Sequence, residues 1–257
     1  MGAAPALGGG APLRAAIIAR VEPKAVFFDA GETLVHPHPS FPELFAEVLR
    51  DEGHEVDPET VREMAWRASQ RFTEKLRSDE HALWSTSPDR SRRFWFSMYL
   101  GLLEDTGIED SDGRVTAALY ARFSDLESYR LHPDALPLLE RLAAGGYPMG
   151  LISNFEAWLE GLLERLDVTR FFPVRVVSGL EGVEKPDPAI FRIALDRMGV
   201  EAEESVYVGD HPYFDVKAAR EVGMRPVLID RRDLYPDADA LRISSLEDLP
   251  QALGLPI

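Results

Sequence analysis

Short apolar segments that alternate with helical patterns constrain the fold of this chain more than any other feature. The apolar segments, rich in β-branched and aromatic residues, occupy residues 25–29, 149–153, 174–178, 205–209 and 226–230. The first, fourth and fifth are nearly continuous apolar runs, which is typical of strands covered on both faces. Helical patterns occupy residues 134–145, 157–166, 188–198, 213–222 and 246–253. Repeated strand–helix–strand order predicts an α/β fold in which right-handed crossovers wind a parallel sheet.

A long helical block interrupts this pattern between the first two strands. Residues 40–126 carry four amphipathic helical patterns and no strand pattern, and the first pattern opens at Ser40 with capping-box spacing to Glu43. A segment of this length is too long for a simple loop. We therefore predict an inserted helical domain at 38–130, a core domain formed by 24–37 and 131–257, and a flexible Ala/Gly-rich tail at 1–23.

Composition limits the classes of function. The 257 residues carry a formal net charge of −16, which argues against nucleic acid or an anionic membrane as a partner because both require a basic surface. The charge leaves a small phosphorylated metabolite open, since a metal ion and a few basic groups suffice for it. No cysteine is present, so disulfides, thiolate catalysis and Cys-ligated zinc are excluded. No apolar run approaches the ~18 residues of a membrane span, and we expect a cytoplasmic protein.

Acidic residues stand where two of the predicted strands end. Asp29 ends the first strand and Asp210 follows the fourth. Ligands of open α/β sheets bind beyond the carboxyl ends of the strands, so these side chains are expected to meet. Two neighbouring carboxylates repel each other, and a Mg²⁺ ion between them removes the repulsion and binds phosphate oxygens. A carboxylate such as that of Asp29 can also attack phosphorus and form an aspartyl-phosphate.

Other polar residues are predicted to join this edge. Ser153 and Asn154 end the second strand, where a hydroxyl and backbone N–H groups can hold an anionic oxygen of the substrate. Lys185 precedes a Pro-Asp-Pro sequence, and its ammonium group can pair with the nucleophile and with the phosphoryl group. Asp215 has two interpretations: it orients Lys185 or a metal-bound water, or it is an acid favoured by the helix dipole at a helix start.

The ordered segments AVFFDAGETL, MGLISNF, EGVEKPDPAIF and VYVGDHPYFD resemble the motifs of the haloacid dehalogenase-like hydrolase superfamily, over about residues 24–250. The resemblance implies a Rossmann-like core with strand order 5-4-1-2-3 and a helical cap inserted after the first strand, which 38–130 resembles. It also implies roles for single residues: nucleophile for Asp29, phosphate-binding hydroxyl for Ser153, charge-stabilising lysine for Lys185, Mg²⁺ ligand for Asp210 and supporting acid for Asp215.

The chain departs from this family pattern directly after the nucleophile. Gly31 stands where the family's phosphatases place a general acid/base aspartate, and Glu32 replaces their usual glycine. Since the family's metal takes only a backbone carbonyl at this position, Mg²⁺ binding by Asp29, Gly31 and Asp210 is expected to survive. Leaving-group protonation is expected to be weak, which predicts slow turnover that is faster for esters whose leaving group needs no proton. The candidates for a substitute acid are Glu32, His36, His38 and His211, although each such residue is more often a loop or surface residue.

These observations favour a Mg²⁺-dependent hydrolase of a small phosphate monoester that acts through Asp29. One alternative is a 2-haloacid dehalogenase, which uses the same nucleophile on carbon without metal; the acidic VGDHPYFD segment speaks against it. A phosphonate-cleaving relative would need a lysine from the helical insert, where Lys75 is the only one. A non-catalytic binding or regulatory protein is a further alternative. Most aromatic residues of the insert are expected to form its core, and one or two to line a substrate pocket.

Overall fold

The computed structural model describes residues 22–76 and 83–257, so most of the predicted tail at 1–23 lies outside the described residues. The strands are β1 (Ala25–Phe28), β2 (Val35–Pro37), β3 (Tyr129–Leu131), β4 (Met149–Ser153), β5 (Val174–Val177), β6 (Ser205–Gly209), β7 (Arg225–Ile229) and β8 (Leu241–Ile243). The α-helices of the described residues are α1 (Phe41–Asp51), α2 (Pro58–Leu76), α3 (Pro88–Thr106), α4 (Arg114–Phe123), α5 (Ala135–Ala144), α6 (Leu159–Arg165), α7 (Ser178–Glu181), α8 (Pro188–Met198), α9 (Ala218–Glu221) and α10 (Leu249–Leu253).

The central sheet confirms the predicted α/β fold class. Six strands lie in the order β5-β4-β1-β6-β7-β8, and the neighbours are parallel. From β7 to β5 this is the expected order 5-4-1-2-3, and β8 is an additional edge strand that we did not predict. Because β1 is central and β6 lies beside it, the residues that follow these two strands are neighbours at one edge of the sheet.

Strand β1 is buried on both faces, as its apolar sequence predicts. Val26 and Phe28 belong to the apolar cluster packed with α5, α6 and α10 on one face of the sheet. Ala25 and Phe27 belong to the cluster packed with α8 and α9 on the other face. This alternation follows from the two-residue period of a strand. Burying a side chain such as Phe27 contributes about 1.5–3 kcal/mol, so the strand that carries Asp29 is fixed from both sides.

Helices α1 to α4 form the insert between β2 and β3, as predicted. Ser40 caps α1: its Oγ accepts a 3.3 Å hydrogen bond from the Glu43 N–H and donates one of 2.6 Å to the Glu43 carboxylate. The insert has its own apolar cluster, which includes Leu44, Phe45 and Tyr99. The ends of the insert meet because β2 pairs antiparallel with β3 in a two-stranded ribbon, which we did not predict. The domain limits themselves stay a prediction.

None of the helices in the described part of the chain is both long enough and apolar enough to cross a membrane.

Candidate active site

Asp29 lies directly after β1, with only 6% of its surface exposed. Its backbone N–H donates to the Val208 carbonyl at 2.9 Å, which extends the pairing of β1 and β6 by one residue. The chain then turns sharply: the N–H groups of Leu34 and Val35 both donate to the carbonyl of Ala30. The strand and the turn together fix the carboxylate at the edge of the sheet.

Lys185 joins the carboxylates that sequence reasoning assigned to this edge. Its buried ammonium group lies 2.7 Å from Asp29 Oδ1 and 2.6 Å from Asp215 Oδ1. Burial alone would lower the pKa of Lys185, but the charges of Asp215 and Asp29 outweigh it and raise the pKa above its ordinary value, so the group stays charged. Ser153 Oγ donates to the same Asp29 oxygen at 2.9 Å. Lysine and serine thus meet the predicted nucleophile at one atom.

The side chain of Asn154 has a partner that the sequence did not indicate. Its amide Nδ2 donates to the Lys185 carbonyl at 2.8 Å, and its Oδ1 accepts from the Lys185 N–H at 2.6 Å. Both ends of the amide are therefore engaged with the backbone of Lys185, so the side chain positions the lysine. Asn154 also lines the cavity in front of Asp29, and its substrate binding stays a prediction.

Asp215 contacts Lys185, as its first interpretation expects, and it stands in the first turn of a helical segment, as its second expects. It is buried in a π-helical segment, Pro212–Lys217, and its second oxygen accepts the His211 N–H at 2.8 Å. Gly209 makes room for it: a Cβ atom at Gly209 would lie 2.3 Å from the Asp215 carboxyl carbon. The end of β6 must therefore be glycine for the aspartate to reach the lysine.

Asp210 and Asp29 fit a divalent cation. Desolvation raises the pKa of Asp210 well above its usual value, and the charges of Asp215 and Asp29 raise it further. Desolvation also raises the pKa of Asp29, in spite of Lys185. No group of three or more His, Asp or Glu side chains within 22–76 and 83–257 is arranged to hold a metal. Mg²⁺, however, binds through one or two carboxylates plus waters and other oxygens. Asp29, Asp210 and the Gly31 carbonyl are oxygen donors of that kind, and Mg²⁺ binding by them stays a prediction.

Two residues near the site were missed by sequence reasoning. The hydroxyl of Tyr207, within β6, lies 2.9 Å from Lys185 Nζ and 3.1 Å from Asp215 Oδ1. A tyrosine inside a buried strand usually needs such a partner, which was an available signal. Arg231 follows β7 at the same edge and donates to the Asp134 carboxylate and, at 2.9 Å, to the Thr33 carbonyl, which holds the turn after Asp29.

Of the four candidate substitutes for the missing acid, Glu32 and His211 line the cavity in front of Asp29. Glu32 is half-buried, and its charge contributes to the raised pKa of Asp210. His211 Nδ1 accepts the N–H groups of Tyr213 and Phe214, which leaves the proton of the neutral ring on Nε2; burial lowers the pKa of this imidazole. His36 instead stacks on His132.

The cavity, of about 310 Å³, lies between the sheet edge and the insert. More aromatic residues of the insert reach it than the one or two predicted. The aromatic residues of the insert that line the cavity include Phe72, Trp84, Trp95 and Tyr99. Trp66, by contrast, is 62% exposed elsewhere on α2. Lys75 contacts Ser97 on α3 and is not part of the cavity wall, so it is not placed for the phosphonate-cleaving alternative.

Comparisons with known proteins agree with this geometry. The family model of haloacid dehalogenase-like hydrolases matches residues 23–223. The haloacid dehalogenase-like hydrolase domain-containing protein 3 of Danio rerio is 30% identical over 91% of this chain and 98% of its own length. A glyceraldehyde 3-phosphate phosphatase of Methanopyrus kandleri is 37% identical over 54% of this chain and 60% of its own. A phosphoserine phosphatase of Thermus thermophilus is 34% identical over 57% of this chain and 60% of its own length.

Solved structures add two further likenesses. The 2-haloacid dehalogenase of Pseudomonas syringae is 30% identical, with a TM-score of 0.56, over 90% of this chain and 98% of that one. YfnB of Bacillus subtilis, solved bound to magnesium, is 18% identical over 92% of this chain and 100% of its own, with a TM-score of 0.70. At this level of identity the likeness shows the fold alone. The extent of the family match and the full-length relative show that this chain is an enzyme, a hydrolase that belongs to the haloacid dehalogenase-like family.

Proposed function

We propose that this chain is a Mg²⁺-dependent phosphatase that hydrolyses a phosphate monoester through an aspartyl-phosphate on Asp29, with the helical insert as the cap over the site. The observation that carries the proposal is the meeting of Lys185 and Ser153 on one oxygen of Asp29, beside a second carboxylate, at the floor of a cavity. The similarity to two phosphatases named for different phosphorylated metabolites supports the reaction class.

The proposal gives a task to each residue of the site. Lys185 and Ser153 both hold Asp29 Oδ1, so Oδ2 is the oxygen that can attack phosphorus. As the new bond forms, the ester P–O bond breaks, and the leaving oxygen departs with the bonding pair as an alkoxide or phenoxide that takes its proton from water. Lys185 then keeps a positive charge beside the phosphoryl oxygens, and water attack on phosphorus releases phosphate and regenerates the carboxylate. Asp29, Asp210 and the Gly31 carbonyl would hold Mg²⁺, whose charge offsets that of the phosphoryl oxygens.

The proposal is tested by phosphate release from p-nitrophenyl phosphate with Mg²⁺ and with EDTA. Turnover should require the metal, and Asp29→Asn should abolish turnover because the amide has the same shape but is not nucleophilic. Asp187→Asn is a matched control, since Asp187 caps α8 through the Ala189 N–H and asparagine caps equally well. Turnover by Asp29→Asn near the wild-type rate, with the fold intact, would exclude the covalent route.

A 2-haloacid dehalogenase is the second candidate, favoured by the 30% identity to the Pseudomonas syringae enzyme. Attack of Asp29 on carbon needs no acid at Gly31, because halide leaves without a proton. The charges argue for the phosphatase: Asp29, Asp210 and Asp215 face a single lysine at this edge, and a metal-free site would leave Asp210 uncompensated. Halide release from 2-chloropropionate in EDTA would favour the dehalogenase.

A further inference from the structure

The wall next to Gly31 is aromatic. A Cβ atom placed on Gly31 would meet Phe155 Cε2 at 3.9 Å, and Phe155 lines the same cavity as Asp29. The Phe155 ring packs edge-on against Trp158, with ring centroids 4.7 Å apart, and Trp158 packs on Tyr129 at 5.5 Å. An aromatic surface therefore stands where a phosphatase of this family would present its acid to the leaving group.

The insert provides a second aromatic surface across the cavity. Trp84 stacks on Phe94 with ring centroids 4.7 Å apart, and Trp95 stacks on Tyr99 at 5.8 Å. These rings are held by their neighbours and by the core of the insert, so they form a wall that is already shaped before a ligand arrives. An apolar cavity of roughly 150 Å³ is enough to hold benzene. This cavity measures about 310 Å³, so it has room for an aromatic ring, and Asp29 is part of its lining.

From these two surfaces we infer that the substrate class is the aryl phosphates: monoesters whose leaving group is a flat, apolar phenol. The inference rests on the proposed phosphatase activity and narrows it. When the P–O bond breaks, the electron pair goes to the phenolic oxygen, which leaves as a phenolate and takes its proton from water. A phenol has a pKa near ~10, as tyrosine does, so it departs without the acid that Gly31 does not provide. Aromatic rings also prefer edge-on or offset contact with other rings.

The first test compares phenyl phosphate, cyclohexyl phosphate and glycerol 3-phosphate with wild-type enzyme and Mg²⁺. Phenyl and cyclohexyl esters have rings of similar size but leaving groups of different acidity. The expected kcat/KM is at least ~10²-fold higher for phenyl phosphate, the lower end of the effect of a general acid. Equal values for phenyl and cyclohexyl phosphate, or a preference for glycerol 3-phosphate, overturn the inference and leave the phosphatase standing. Absence of turnover of all three and of p-nitrophenyl phosphate overturns both.

The second test measures binding, so it does not depend on turnover. Phenylphosphonate should bind Asp29→Asn, with Mg²⁺ present, at least tenfold more tightly than methylphosphonate by calorimetry. Phe155→Leu should remove most of this difference, Phe155→Tyr should keep it, and Trp66→Leu should leave it unchanged because Trp66 lies outside the cavity. Equal binding of the two phosphonates by Asp29→Asn itself overturns the inference, whatever the Phe155 variants do.

Discussion

Replacing Gly31 with aspartate is expected to raise turnover of alkyl phosphates, because the turn after Asp29 already has the shape needed and only the proton donor is absent. A carboxyl group at this position would lie two residues from the nucleophile, beside the leaving oxygen. It could protonate that oxygen and later take a proton from the attacking water. The gain should be large for ethyl phosphate, whose leaving group needs a proton, and small for phenyl phosphate.

The structure indicates that the backbone accepts this substitution. The added Cβ meets Phe155 Cε2 at 3.9 Å, an ordinary van der Waals distance. Gly31 is also not among the glycines with left-handed backbone in the described residues. General acid–base catalysis contributes ~10²–10⁴-fold, and we expect about 10²-fold for ethyl phosphate because Phe155 restricts the new side chain. The nearby carboxylates should raise the pKa of the new acid, which keeps it protonated enough to donate.

Glu32 complicates the substitution, since it occupies the left-handed region with φ of 54°. A non-glycine residue there costs about 1–2 kcal/mol. Glycine removes that strain but gives up roughly 0.5–1 kcal/mol through its greater freedom in the unfolded chain. The net change in unfolding free energy for Glu32→Gly is therefore small, and its activity is the informative quantity.

The assay is kcat/KM for ethyl and phenyl phosphate in wild type, Gly31→Asp, Gly31→Asn, Glu32→Gly and the double variant Gly31→Asp with Glu32→Gly. Asparagine is the matched control, with the same shape and no transferable carboxyl proton. If neither aspartate variant exceeds the asparagine variant on ethyl phosphate, the reasoning about the missing acid is refuted. A large loss for Glu32→Gly alone would identify Glu32 as the acid already in use.

Three further predictions concern stability and positioning. Asp210→Asn should raise the metal-free melting temperature, at about 2–4 °C per kcal/mol, and abolish the stabilisation by Mg²⁺ seen for wild type in the same thermal scan. Gly209→Ala should lower kcat and destabilise by about 1–3 kcal/mol because it displaces Asp215, whereas Gly161→Ala, whose Cβ has 3.5 Å to its nearest neighbour, should do neither in paired denaturation and turnover assays. Burial and Arg231 lower the pKa of His132 from 6.5 to about 3, so the unfolded chain binds a proton that the folded chain does not, and stability should fall as pH drops below 6.5. The free energy of unfolding should change by at most ~1.4 kcal/mol per pH unit, and the partial exposure of His132 reduces this value. In urea titrations at several pH values, His132→Gln should make the free energy of unfolding less dependent on pH. The same pH dependence in both proteins would contradict the assignment to His132.

The fold could be predicted from the sequence where its strands are buried, because buried strands have apolar sequences. The five core strands lie within one residue of the predicted segments because each has at least three buried residues, most of them apolar. Strand β8 was missed because its three residues, Leu241–Ile243, are mostly exposed and carry no alternation long enough to detect. The β2–β3 ribbon was missed because its pairing joins segments about ninety residues apart, and Pro37 weakens the strand pattern of β2.

The site was predictable where topology alone brings residues together. Parallel strands end at one edge, so Asp29, Ser153 and Asp210 follow from the strand assignment. The task of the Asn154 amide did not follow, because it depends on where the backbone of Lys185 passes. The same is true of Glu184, whose buried carboxylate accepts the N–H of Ser85 at 2.8 Å and so ties the insert to the loop of the lysine. Such contacts join residues far apart in the sequence, so a local sequence pattern does not predict them.

The charged residues of this site affect stability with opposite signs. Lys185 is 3% exposed and lies between Asp29 and Asp215, so its loss would leave two buried carboxylates without a cationic partner, which costs about 3–5 kcal/mol in comparable pairs. Asp210 has the opposite effect, since desolvation and the charges of three acids, Asp215, Asp29 and Glu32, raise its pKa and disfavour its charged form. We therefore expect the loss of Lys185 to lower the free energy of unfolding, and the loss of the Asp210 charge to raise it in the absence of metal. If Mg²⁺ binds as proposed, the cation is the partner of Asp210, since a second lysine in its place would stabilise the metal-free site but would occupy the space that the proposed substrate and metal need.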